Sequence, residues 1–246
     1  MSDMKILTLD IETSPNLVYA WGLWNQNIGI SQIVEPTYVL SWAAKWLDQK
    51  IIYYRKHDDP DFLTLIWDMI DKADAVVHYN GTAFDMKHLN REFLEAGLGQ
   101  PFMPKNIDLL KTVRQQFKFP SNKLDYVADR VLGRKKADAG GMSTWIGCLN
   151  GHGPSWATMR KYNREDVRLT EELYLRIRPW IKGHPNHGLY IEDQDEPVCR
   201  NCGSDNIHSK GWQPLNVRSY QRYRCVDCGA NLRGRKRKSL APQVIV

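Results

Sequence analysis

The pattern of apolar and polar positions changes period along this chain, and the changes mark its elements. Lys5 to Leu9 is a β-branched and apolar run without glycine or proline, which predicts a buried strand. The turn signals Ser14-Pro15-Asn16 and Glu35-Pro36-Thr37 precede Leu17 to Trp24 and Tyr38 to Trp46, both rich in Tyr, Trp, Val and Leu, which predict further strands. Lys50 to Tyr54 follows as a short strand after Asp48-Gln49. Three antiparallel strands opening a mixed sheet fit this pattern. The period then shifts to that of a helix. Apolar residues at 62, 63, 65, 66, 69 and 70 predict a helix over Asp61 to Ala73. Ala75 to Tyr79 is a short apolar strand, and Phe84 to Ala96 a helix stopped by Gly97. Ile107 to Phe117 begins as strand and continues as helix, and Lys123 to Leu132 is a helix ending at Gly133. Glycines at 140, 141, 147, 151 and 153 break regular structure over 134–158 and predict a functional loop region. Asp166 to Ile181 predicts a long helix. His184 to Pro197 has little periodicity. The expected organisation is an α/β domain over 1–183, a linker over 184–196 and a small C-terminal module over 197–246. No repeat of 20–50 residues is present.

Length and charge sharpen this division. The chain has 246 residues and is 42% hydrophobic, enough for one large core and a small module. No run of eighteen apolar residues exists, so no membrane-spanning helix is expected. The N-terminus enters a strand directly, without the charged and apolar regions of a signal peptide, so the expected location is cytoplasmic. The net charge of +6 is unevenly placed. Residues 197–246 hold ten Lys and Arg against two acids, leaving 24 against 26 in the first 196 residues. A basic tail on a near-neutral body suggests a polyanionic partner.

Three stretches carry chemistry. In Leu7-Thr8-Leu9-Asp10-Ile11-Glu12-Thr13, two carboxylates stand at i and i+2. On an extended chain they share a face with Cα atoms roughly 6.5–7 Å apart, while Ile11 points to the other. Two like charges on a buried strand repel and are costly to desolvate unless a cation sits between them. A hard divalent ion such as Mg²⁺ or Mn²⁺ suits oxygen ligands. The plainer alternative is a strand that runs out into solvent. In Tyr79-Asn80-Gly81-Thr82-Ala83-Phe84-Asp85 a strand ends, Asn-Gly turns the chain and an aspartate opens a helix. Alone, Asp85 reads as an acid favoured by the helix dipole. In Lys161-Tyr162-Asn163-Arg164-Glu165-Asp166, Tyr162 and Asp166 lie four apart, on one helix face. Alone, they read as an amphipathic helix.

Taken together and in this order, the three stretches resemble the DEDD superfamily of 3′–5′ exonucleases, the ribonuclease-H-like proofreading type. The resemblance spans roughly residues 5–178. Asp10 and Glu12 match the first motif's acid pair, Asp85 within Asn-x-x-x-Phe-Asp the second, and Asp166 the third. Tyr162, four residues before Asp166, matches the tyrosine branch; the histidine branch places His at the position held here by Lys161. Asp108 resembles a further acidic position of some members, behind the ligands. The resemblance implies a ribonuclease-H-like mixed sheet flanked by helices. It also implies two Mg²⁺ or Mn²⁺ ions held by Asp10, Glu12, Asp85 and Asp166, with Tyr162 orienting the attacking water, and release of nucleoside 5′-monophosphates. Two metals about 3.5–4 Å apart can activate water, clamp the phosphate and stabilise the departing oxygen. The implied substrate is nucleic acid, with single-stranded DNA favoured and RNA possible; a ribonuclease with the same site and a non-catalytic nucleic-acid-binding adaptor are the alternatives. Thr13 and Asn80 stand beside these motifs, where they could meet a terminal nucleotide. Phe84 and the pair Trp21 and Trp24 are rings that either stack on bases or pack in the core.

The tail carries a separate signal. Cys199-Arg-Asn-Cys202-Gly203 and Cys225-Val-Asp-Cys228-Gly229 are two knuckles, each offering two thiolates with a permissive glycine after the second. Four thiolates make a closed tetrahedral Zn²⁺ site, and the arrangement resembles a zinc ribbon over about residues 197–235. So small a module lacks an adequate apolar core, so its metal should supply much of the folding energy. Arg218, Arg222 and Arg224 alternate with Tyr220 and Tyr223; Trp212 is nearby, and Arg233 and Arg235-Lys236-Arg237-Lys238 follow. Cations with flat rings suit phosphates and bases; a protein-docking ribbon and a solubilising tail are the alternatives. Protein partners are not legible in the sequence.

Overall fold

The computed structural model describes residues 4–47, 49–191, 197–215 and 218–239, with the side chains of 235–239 left out. The chain divides into two compact units: Lys5–Glu172, and Leu173–Val246 with Met1–Met4.

The first unit is built on a five-stranded sheet. Its strands are β1 (Ile6–Thr13), β4 (Val39–Trp46), β5 (Tyr53–Lys56), β6 (Ala75–His78) and β7 (Lys105–Asp108), in the order β5-β4-β1-β6-β7. β1 is central. It pairs antiparallel with β4 and parallel with β6, so the sheet is mixed. β5 continues the antiparallel side and β7 the parallel side. The parallel connections run through α1 (Phe62–Asp71) and α2 (Asp85–Glu95). The alternation along β1 decides what each face receives. Leu7, Leu9 and Ile11 are buried in one core with Trp42 and Ala44 of β4, Phe62, Ile66 and Ile70 of α1, and Leu89 and Phe93 of α2. Thr8, Asp10 and Glu12 therefore face the other side of the sheet. There, Val167 of α6 (Gly153–Ile177) packs on Ala43 and Ile52, and its Met159 on Leu40 and Cys148.

α3 (Leu109–Gln116) follows β7 directly and is capped by Asp108, whose side chain accepts from the Leu110 N–H. α4 (Leu124–Leu132) ends on Gly133 with φ +67°. The sequence pattern is overturned at three places. Leu17 to Trp24 is not a strand of the sheet: only β2 (Leu17–Val18) is extended, and it pairs with β3 (Ile33–Glu35) in a separate two-stranded ribbon. The glycine-rich stretch 134–158 is not all loop. It contains α5 (Met142–Leu149), because Gly140 and Gly141, at φ +74° and +68°, end the loop just before it. The long helix does not begin at Asp166: α6 starts thirteen positions earlier, at Gly153, so Tyr162 and Asp166 lie mid-helix.

The second unit holds the antiparallel sheet β10-β9-β8, from β8 (Ile207–Pro214), β9 (Arg218–Cys225) and β10 (Asn231–Ser239). Cys199, Cys225 and Ala230 form its small core with Ile207 and Leu232. Of the expected linker 184–196, residues 192–196 lie outside the described residues, and His187–Leu189 form a 3-10 turn.

The turn between β6 and α2 is tightly fitted. A Cβ at Gly81 would overlap the buried ring of His78, which accepts the Gly81 N–H at 3.0 Å. Gly81→Ala is therefore expected to cost about 1–3 kcal/mol, read as a lowered urea midpoint. Gly99→Ala, where a Cβ meets nothing within 4 Å, is the control expected to stay within about 0.5 kcal/mol.

Candidate active site and metal centre

The first site grows from the end of β1. Asp10 and Glu12 project from the face covered by α6, and Asp166 of α6 reaches them from above. One oxygen from each of the three lies within 4.8 Å of the others. Asp85 stands at the first position of α2 and is buried. Its Oδ1 accepts the Ile11 N–H at 3.1 Å, which ties the start of that helix to β1. It stands outside the close trio, yet its charge is felt by both Asp10 and Glu12.

Electrostatics sets this place apart. Burial, and then the charges of Asp166, Glu12 and Asp85, hold Asp10 well above the usual carboxyl range. Burial raises Glu12 to about 8 against the opposing pull of Lys136. Burial raises Asp85 to about 7 despite two backbone hydrogen bonds. Asp166 is raised by burial too, with Lys136 opposing. Four clustered acids, Asp85 and Asp166 buried and Asp10 and Glu12 half-buried, with Lys136 beside them, are an under-compensated donor set. Asp166 is almost fully buried, and no well-formed hydrogen bond reaches its Oδ1. A buried carboxylate held against two others, with Lys136 as the cation beside it, fits a hard divalent ion.

Two residues of this site were not singled out by the sequence motifs. Lys136 comes from the irregular segment after α4. Its Nζ lies 2.8 Å from Asp166 Oδ2 and 4.7 Å from the centroid of the Tyr162 ring. Burial lowers its pKa, but Asp166, Tyr162 and Asp10 outweigh that and keep it charged. Asn163 is fully buried. Its Nδ2 donates to the Asp10 carbonyl at 3.1 Å and to Asp10 Oδ2 at 2.7 Å, while its Oδ1 accepts from Ser41 at 3.3 Å. A fixed amide thus sets the Asp10 carboxylate. The signal for Asn163 was its place next to Tyr162; Lys136 had none, since it lies in a glycine-flanked loop thirty positions from Asp166.

Tyr162 lies beside Asp166 on α6 and meets Trp145 of α5 edge-on, with centroids 6.2 Å apart. Burial, then Asp166, pushes its hydroxyl pKa up. Asp108 is not with the close trio of acids: its carboxylate accepts the N–H groups of Asn80 at 3.0 Å and Leu110 at 3.1 Å, so it clamps the turn that delivers Asp85. Asn80 sits in that turn with φ +71°. Thr13 ends β1 and is half-buried, and Phe84 is exposed against His88, centroids 4.6 Å apart. Trp21 and Trp24 are exposed and pack in no core.

The second centre is in the other unit. The sulfurs of Cys199, Cys202, Cys225 and Cys228 all lie within 4.8 Å of one another. Cys199 Sγ is 3.6 Å from Cys228 Sγ, and Cys202 Sγ 3.7 Å from Cys225 Sγ. Tetrahedral Zn²⁺ with Zn–S of about 2.3 Å requires sulfurs about 3.8 Å apart, so the donor set fits. Gly203 and Gly229, at φ +76° and +75°, return their N–H groups to the carbonyls of Cys199 and Cys225. That closes both knuckles as a zinc ribbon does. Trp212 lies in β8 and Arg222 in β9, where its guanidinium donates to the Lys210 carbonyl at 3.1 Å. Arg235 and Lys236 belong to β10, with side chains outside the described residues.

A mixed sheet whose central strand carries paired acids under a helix-borne aspartate defines a ribonuclease-H-like α/β protein. The family model RNase_H_2, of the RNase_H superfamily, matches residues 7–178, and the chain belongs to that superfamily. No curated protein matches. Among solved structures, the chain is similar to the family B DNA polymerase from the hyperthermophilic archaeon Pyrobaculum calidifontis, with TM-score 0.55 and 18% identity. That match covers 72% of this chain but only 25% of the polymerase, and at this identity it is a likeness of fold. Family and acid cluster support nuclease activity on nucleic acid. Among the described residues no helix is long and apolar enough to cross a membrane.

Two expectations follow. The raised acids keep protons in the folded, metal-free protein that the unfolded chain releases from about pH 4 upward. Stability therefore falls as pH rises toward about 8, where Glu12 ionises. An ion bound to the acids displaces those protons, so millimolar Mn²⁺ should raise the melting temperature several degrees more at pH 8 than at pH 5.5. Equal shifts at both pH values would move the ion elsewhere. Separately, one zinc per chain should be found by elemental analysis, and Cys225→Ser should lose it while the first unit's melting transition stays in place.

Proposed function

We propose that this chain is a metal-dependent 3′–5′ exonuclease that releases nucleoside 5′-monophosphates, with single-stranded DNA favoured as substrate. The observation that carries the reading is the convergence of Asp10 and Glu12 of β1 with Asp166 of α6, with Asp85 tied to the same strand and Tyr162 beside Asp166. Two Mg²⁺ or Mn²⁺ ions held by these four acids would supply water activation and charge neutralisation at the scissile phosphate. The protein's own groups do the rest. Asn163 fixes the Asp10 carboxylate that lies central to the cluster. Tyr162 keeps its proton, because its pKa is raised, and so orients the attacking water by hydrogen bond rather than acting as base. Lys136 stays charged and offsets part of the acid repulsion around Asp166. Thr13, Asn80 and Phe84 meet the terminal nucleotide. The zinc ribbon, through Trp212, Arg222, Arg235 and Lys236, grips the polymer by its phosphates. The place of action is the cytoplasm. A non-catalytic adaptor is disfavoured, since a pure binder gains nothing from clustered acids facing a polyanion.

The test uses 5′-labelled single-stranded DNA and RNA of equal sequence. A ladder shortening from the 3′ end with Mg²⁺ or Mn²⁺ is expected. Asp10→Asn should lower its rate by at least about 100-fold, and Tyr162→Phe by about 10- to 100-fold with an unchanged metal midpoint. Faster shortening of RNA would reassign the substrate to a ribonuclease. Internal cuts, or undiminished cleavage by Asp10→Asn, would refute the proposal.

A further inference from the structure

The excursion between β1 and β4 is unlike the rest of the first unit. From Ser14 to Val34 the chain has no charged side chain. Its large apolar residues are nonetheless outside the core: Trp21 is 98% exposed, Trp24 81% and Tyr19 76%, with Leu23 and Ile30 also exposed. The segment is held together by its own polar groups. The Tyr19 N–H donates to the Gln32 carbonyl at 2.9 Å, and Gln32 Nε2 donates back to the Tyr19 carbonyl at 2.8 Å. Gln32 Oε1 accepts the Gly29 N–H at 2.8 Å, and Gln26 Nε2 donates to the Trp24 carbonyl at 2.8 Å. The result is an ordered arm that spends its hydrogen bonds on its backbone and turns its rings to water. Large apolar side chains gathered exposed on one short segment mark a contact surface.

Where the arm is spliced indicates what it meets. It leaves β1 at Thr13, one residue after Glu12, and returns to β4 at Val39, the residue paired with Thr13. Its root is therefore the carboxylate end of the central strand. A nucleic-acid end drawn to those acids is repelled by them except through bound cations, and this arm adds no positive charge of its own. Any grip it gives must come from the bases. Rings open on both faces, as Trp21 is, accept a base on either side, and unpaired bases offer flat faces that a duplex keeps stacked.

We infer that the arm 14–34 is a base-stacking platform, with Tyr19, Trp21 and Trp24 holding the unpaired nucleotides that lead to the scissile 3′ end. This rests on the nuclease reading and adds how the strand is held: by its bases, on the rings of this arm, independently of sequence.

The experiment compares two labelled oligonucleotides of about 12 residues, one of thymidines and one of abasic sugars with the same phosphates. Binding to the full-length chain is followed by fluorescence anisotropy without added divalent ions. The Trp21→Ala/Trp24→Ala variant is expected to bind the thymidine strand about tenfold or more weaker than the wild type, and the abasic strand equally well. Undiminished binding of the thymidine strand, or an equal loss on both strands, overturns the inference. So does a wild-type dimer in sedimentation that the double variant abolishes, which would make a second copy the occupant of the rings. Hydrolysis of the p-nitrophenyl ester of thymidine 5′-monophosphate with Mn²⁺ separates the two readings. This small substrate bypasses the arm, so the double variant should hydrolyse it like the wild type. Failure of the wild type on it would sink the nuclease reading, while the comparison of base with abasic strand still decides the arm.

Discussion

Repulsion among four clustered carboxylates is the constraint around which the first unit is built. Asp10, Glu12, Asp85 and Asp166 are each held above their ordinary pKa, with burial the leading cause. Such a cluster works against the fold that contains it, and the surrounding structure must impose it. The central position of β1 does so: strands on both sides and a large apolar core beneath Leu7, Leu9 and Ile11 leave the alternate residues no other place to point. The hydrogen bond from the Ile11 N–H to Asp85 and the two from Asn163 to Asp10 then fix individual carboxylates within that frame.

The same constraint explains why the supporting residues are polar yet buried. Asn163 bridges Asp10 and Ser41, so one amide side chain satisfies both layers it touches. Asp108 satisfies three needs at once, capping α3, holding the Asn80 turn and standing near His78. His78 accepts the Gly81 N–H at Nδ1 and meets Asn106 at Nε2, which fixes its neutral form; burial also lowers its pKa. Each of these groups acts on the carboxylates by positioning the backbone or side chain that carries them.

Much of the frame was legible in the sequence because it follows from period. The alternation through Leu9, Asp10, Ile11 and Glu12 determined which residues share a face, and the change from period 2 to 3.6 located α1 and α2. The four cysteines were legible because two CxxCG knuckles have few other uses. The remaining elements are illegible in the sequence for physical reasons. The arm after β1 reads as a strand because Tyr, Trp, Leu and Val favour pleated surfaces, but those residues have no neighbouring strand to pack against beyond Leu17–Val18. α5 and the first turns of α6 were hidden by glycines, two of which serve as entry points to a helix rather than as breaks within one. Lys136 could not be placed, because a lysine in a loop carries no period, and only the tertiary structure shows that it lies against Asp166.

That last feature divides the site into a fixed part and an adjustable one. Every acid stands on a strand or helix that packs against the body of the unit, so none can shift without disturbing that packing. The single ammonium among them rides on the segment between Gly133 and Gly140, anchored at its base by its own N–H to Asp125 at 2.9 Å. Changes of length or sequence in that segment can alter how much positive charge reaches the carboxylates while leaving the sheet untouched. The tuning of the centre is thereby uncoupled from the stability of the body that bears it.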